Sequence, residues 1–117
     1  MQNEPIKIKV EATPEFKRSI RTLAKRYRHI RSDIQPTIDR LQASEIMGAQ
    51  ISGTDYSVFK VRIKNSDIQK GKSGGYRFIY YLKTSTQITL VTLYSKSDQG
   101  DISADRINSI LSKFESS

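Results

Sequence analysis

The stretch "KGKSGGYRFIYY", Lys70–Tyr81, decides the fold, because a Gly-Lys-Ser triplet belongs to different architectures depending on whether a helix or a strand comes after it. A nucleotide-binding loop of the Walker type carries a glycine five residues ahead of its Gly-Lys-Ser. It also feeds a helix whose N-terminus meets the phosphates. Here Ser66 stands where that glycine belongs, and the next run is "YRFIYYL", aromatic and aliphatic, which reads as a strand. The nucleotide reading fails on both counts. It remains open whether the glycines and lysines serve the phosphates of a nucleic acid or merely make a turn.

Upstream, "VFKVRIK" alternates. Phe59, Val61 and Ile63 fall on one face of a strand, and Lys60, Arg62 and Lys64 on the other. The pattern predicts strands over Tyr56–Lys64, Tyr76–Lys83 and Ile88–Lys96, the last two joined through Thr84, Ser85 and Thr86. Strands joined so closely form an antiparallel meander. Before them, "IKIKVEA" alternates Ile6, Ile8 and Val10 with lysines and reads as a short strand. Thr13, Pro14 and Glu15 carry the cap, first-turn proline and acid of a helix start, and Phe16, Ile20, Leu23, Ala24 and Tyr27 form its apolar stripe. Lys17, Arg18, Arg21, Lys25, Arg26 and Arg28 occupy its other faces.

Ser32 and Gln35 have capping-box spacing and open a second helix, with Ile34, Ile38 and Leu41 as its stripe and Pro36 in its first turns. The short link makes these two helices a hairpin. Ala43 to Asp55 reads as loop. Ser103, bracketed by Ile102 and Ile107, caps a final helix whose stripe is Ile107, Ile110, Leu111 and Phe114. The order β-α-α-β-β-β-α is an α+β fold: an N-terminal strand and helical hairpin packed on an antiparallel sheet, with a C-terminal helix. A chain of 117 residues fits one domain over 1–117, its first four residues flexible.

Composition excludes several chemistries. There is no cysteine and one histidine, His29, so thiolate and histidine metal centres are not expected. No apolar run approaches the roughly 18 residues of a membrane span. The N-terminus has no secretion-signal core, and the expected compartment is the cytoplasm. Twenty Lys+Arg against twelve Asp+Glu give +8, a surface that attracts polyanions.

The charge is concentrated. Between Lys60 and Arg77 lie Lys60, Arg62, Lys64, Lys70, Lys72 and Arg77 against the single acid Asp67. Like charges along one strand face repel, a cost that favours a binding function over the alternative of an ordinary solvated strand face. Tyr76 lies among the basic residues, and Tyr80, Tyr81 and Tyr94 lie between Arg77 and Lys96. Each is more simply read as core, but Tyr76 and Tyr94 are candidates to stack on bases.

The segments "VFKVRIKNSDIQKGKSGGYRFIYYL" and "ITLVTLYSKSDQGDIS", with the helical hairpin and the terminal helix, resemble the RelE/ParE toxin superfamily, in particular its RelE/HigB branch. The resemblance implies a toxin of a type II toxin–antitoxin pair that enters the ribosomal A site and cleaves mRNA. There a ribose 2′-hydroxyl attacks the adjacent phosphate, leaving a cyclic phosphate and a 5′-hydroxyl. It implies catalytic roles for Lys60, Arg62, Arg77 and Lys96; beside these, Lys64, Lys70, Lys72, Tyr76 and Tyr94 are read from the basic cluster as candidate RNA contacts. Arg77 is the expected phosphate fork. Lys60, among cations that favour a neutral amine, is the candidate base, and Lys96 serves the leaving group. The partners implied are a cognate antitoxin, the ribosome and mRNA, with no metal or organic cofactor. The family's late tyrosine has no counterpart, since no tyrosine lies beyond Tyr94 and Ser103 reads as a helix cap. Two other readings stand beside this one: a ParE-like inhibitor of DNA gyrase, and a non-catalytic basic RNA-binding domain.

Overall fold

Tyr76–Thr84 forms the central strand of a five-stranded sheet in the computed structural model, which describes residues 7–69 and 71–116, the side chain of Lys72 apart. The expectations for residues 1–4, Ile6, Lys70 and the Lys72 side chain lie outside the described residues. In chain order the elements are β1 (Lys9–Ala12), α1 (Pro14–Ala24), α2 (Ile30–Gln42), β2 (Ala49–Gln50), β3 (Val58–Ile63), β4 (Tyr76–Thr84), β5 (Gln87–Ser95) and α3 (Ala104–Glu115). A 3₁₀ turn spans Gly71–Gly74. The sheet order is β1-β5-β4-β3-β2. The meander β3-β4-β5 is antiparallel as read from the sequence, and β1 joins β5 in parallel at the edge. The architecture is α+β.

Period-two alternation sends the side chains of β3, β4 and β5 to two different cores. Ile63, Tyr76, Phe78, Tyr80, Leu90 and Leu93 face the helical hairpin and bury Phe16, Leu23, Ile30, Ile34 and Leu41. Phe78 meets Phe16 edge-on with ring centres 5.4 Å apart. On the opposite face Val58, Ile79, Val91 and Tyr94 pack against Ile107, Ile110 and Leu111 of α3. Among the described residues no helix is long and apolar enough to cross a membrane.

The caps show how the sequence sets these elements. Thr13 Oγ1 accepts from the Phe16 amide at 3.0 Å and donates to the Val91 carbonyl at 2.7 Å, so one hydroxyl both starts α1 and ties it to β5. Ser103 Oγ accepts from the Arg106 amide at 3.1 Å, as its spacing predicts.

α2 departs from its reading. It begins at Ile30, so Ser32 lies inside the first turn, where its hydroxyl donates to the His29 carbonyl at 2.9 Å. The cap comes instead from 38 residues away: Asp67 Oδ2 accepts from the His29 amide at 2.9 Å. Pro36 therefore sits in the helix interior and withholds the amide that would have met the Ser32 carbonyl.

The span read as loop also contains β2. Ala49 and Gln50 pair with Lys60 and Phe59, and the loop is pinned by Tyr80, whose hydroxyl donates to the Met47 carbonyl at 2.7 Å and accepts from its amide at 2.9 Å.

Candidate phosphate-binding site

β3 and β4 place a repulsive pair at the heart of the candidate site. Arg62 and Arg77 are direct cross-strand partners, on the α3 side of the sheet. Like charges in that relation destabilise a sheet. Lys60, two residues along β3, lies on the same face, partly exposed. Lys96 continues β5, its amide donating to the Gly75 carbonyl at 2.9 Å. Of the four residues expected to be catalytic, Lys60 and Lys96 converge on a single oxygen. Asp101 Oδ1 lies 2.9 Å from Lys96 Nζ and 3.7 Å from Lys60 Nζ. Its carboxyl is held below the ordinary aspartate range, first by the Lys96 hydrogen bond and then by the charge of Lys60, with Arg77 adding to it.

Arg77 is 4% exposed, and its guanidinium turns inward to hold the glycine-rich turn. Nη2 donates to the Ser73 carbonyl at 3.2 Å and Nη1 to the Tyr76 carbonyl at 3.3 Å. Ser97 Oγ donates to the next carbonyl of that turn, Gly74, at 2.9 Å. The glycines thus bring a turn within reach of Arg77, rather than extending Arg77 outward. Gly75 is demanded by packing: a Cβ there would lie 2.1 Å from the Ile63 carbonyl oxygen. Gly71–Gly74 is therefore a 3₁₀ turn strapped to the floor of the basic cluster.

The other end of the β3–β4 connection is tied to the hairpin. Asp67 takes two bonds from His29, through its amide and through Nδ1 at 2.7 Å. Asp33 takes two from Ser66, at 2.9 Å from the amide and 3.0 Å from the hydroxyl. The Asp67 carboxyl is lowered, chiefly by the His29 side-chain hydrogen bond. His29 is therefore the partner of a loop anchor. Lys64 is exposed at the start of this connection.

Both tyrosines expected to stack on bases are corrected. Tyr76 points to the hairpin face and is fully buried, its ring edge-on to Tyr27 at 5.9 Å. Burial drives its hydroxyl pKa strongly upward. Tyr94 does lie on the α3 side, but it is enclosed among α3 residues, and its hydroxyl accepts from the Ile102 amide at 3.4 Å. Burial raises its pKa also. Neither presents a ring face to a base.

Sequence reasoning missed Asp101. The signal was present in "YSKSDQGDIS": an acid five residues after the lysine that closes the last strand, in a segment too short to leave its neighbourhood.

A comparison with curated proteins finds no match. A family model described as the RelE toxin of the RelE/RelB toxin–antitoxin system matches residues 16–114, from the first buried residue of α1 to the last turn of α3. That span contains all but the first two residues of the helical hairpin, the whole meander and every residue of the basic cluster, and the chain belongs to the RelE toxin family.

Proposed function

We propose that this toxin is a ribosome-dependent mRNA endoribonuclease that works by 2′-hydroxyl attack on the adjacent phosphate. The observation that carries the reading is the convergence of Lys60 of β3 and Lys96, the residue after β5, on one carboxylate oxygen. A surface position where two ammonium groups meet at one carboxylate oxygen is suited to a phosphoryl oxygen. Its donors are preorganised for the charge that builds on phosphorus as the nucleophile enters. Lys60 and Lys96 flank the scissile phosphate. Arg62 and Lys64 take phosphates beside it, with Lys70 and Lys72 as further RNA contacts. Arg77 supplies a fixed positive charge beneath the site and braces the turn that shapes it.

Among the described residues the cluster has no histidine beside its lysines, since His29 is engaged with Asp67. Proton transfer is thus modestly served, and the reaction depends on the ribosome to align the 2′-hydroxyl with the phosphate, an orientation effect of large magnitude. A cognate antitoxin is the partner that the toxin–antitoxin family implies.

Primer extension on mRNA in a purified translation system tests the reading. Cuts that need ribosomes and vanish in Lys96→Ala are the expected result. An intact message in the presence of folded protein overturns it and directs attention to gyrase.

A further inference from the structure

The residue that displays the phosphate site also fills it. Asp101 lies in the irregular segment between β5 and α3, its side chain 59% exposed, with Oδ1 in contact with both lysines. Among the described residues Arg77, buried in the floor of the cluster, adds to the positive field at this carboxylate. A phosphate entering between Lys60 and Lys96 competes for the position this carboxylate holds, and two anions sharing it repel.

We infer that Asp101 is an internal stand-in for the substrate phosphate, closing the free site with its own carboxylate, so that RNA enters by exchange with it. The inference rests on the phosphate-binding reading above and adds a gate to it. Exposed ion pairs of this type are individually weak, so the carboxylate yields to a well-placed phosphate without any large rearrangement. The same weakness makes Asp101 a discriminator. A lone or poorly aligned RNA gains little over the internal anion, whereas a message fixed in place displaces it.

The test is equilibrium binding of a fluorescein-labelled, 2′-O-methylated RNA decamer, which cannot be cleaved, to the full-length protein. Wild type is compared with Asp101→Asn and with Asp105→Asn, an equal loss of charge in the first turn of α3. Primer extension is run on the same proteins. Asp101→Asn is expected to bind about three- to tenfold more tightly, with Asp105→Asn changing less than about twofold. The excess should disappear in a Lys96→Ala background. An Asp101→Asn affinity equal to that of Asp105→Asn, or weaker than wild type, overturns the inference. Unchanged binding with lost cleavage also overturns it, since the carboxylate would then act in the chemistry. Tighter binding by Asp101→Asn with no cleavage by any of the proteins keeps the gate and overturns the nuclease reading alone.

Discussion

On its hairpin side the sheet buries Phe78, Tyr80 and Leu93 beneath two helices, whereas on the α3 side the same strands set Arg62 opposite Arg77 and leave Lys60 and Lys96 to share one carboxylate. Each strand contributes to both faces through the same alternation, so the contrast cannot come from backbone geometry. It comes from which residues the sequence places at odd and even positions of β3 and β4. The hairpin face is composed for burial. The end of the α3 face beyond Ile79 accepts electrostatic repulsion, which is where consistency between local choices and the fold breaks in favour of a site.

The contrast is sharpest in substitutions that separate stability from activity. Phe78→Ala should cost about 3–5 kcal/mol in chemical denaturation, because it opens a cavity beside Phe16 that the helices cannot close. A loss below about 1 kcal/mol would show that the hairpin face is loosely packed, and the comparison would fail on that side. Lys60→Ala or Lys96→Ala should lower ribosome-dependent cleavage about a hundred- to thousandfold. Both should leave stability within about 0.5 kcal/mol of wild type, as the bonds removed among the described residues are partly exposed ion pairs. Parallel losses of stability and cleavage would mean that the lysines are structural.

A smaller effect probes the hairpin face from within. The Tyr76 hydroxyl is buried with no hydrogen-bond partner among the described residues. Tyr76→Phe should therefore be neutral or stabilising by up to about 1 kcal/mol, with RNA affinity unchanged. Weakened RNA binding would restore Tyr76 to the interface. The smallest effect concerns the loop anchor. The Asp67 carboxyl is lowered by its His29 hydrogen bond, so the ionised form is the one the fold favours. Its contribution is complete above the ordinary aspartate pKa and is lost as pH falls through the lowered folded value. Stability of wild type and Asp67→Asn should therefore differ at neutral pH and converge in acid. A difference that persists in acid would assign the anchor to the amide bond rather than to charge.

The same alternation marks how much was legible beforehand. Phe59, Val61 and Ile63 against Lys60 and Arg62 predicted both faces of β3, because a half-buried strand writes its burial into consecutive residues. Applied as strictly to β4, it would have parted Tyr76 from Arg77, since adjacent strand residues point to opposite faces. Pairing them at one RNA surface gave tyrosine chemistry precedence over geometry. β2 left no such trace: Ala49 and Gln50 are exposed, and β3 alone makes them a strand. The start of α2 was misread because its cap is supplied by Asp67, beyond the reach of any local pattern. Asp101 was overlooked for the related reason that an irregular segment carries no periodicity to say where its side chain falls.

The bond from the His29 amide to Asp67 also gives the molecule a clock. An N-terminal helix amide with no side-chain partner in its own turn exchanges with solvent as fast as its distant acceptor departs. Deuterium uptake at His29 therefore times the release of the β3–β4 connection from the hairpin. If RNA engages that connection, the exchange rate of one backbone proton on the far face of the sheet will register it.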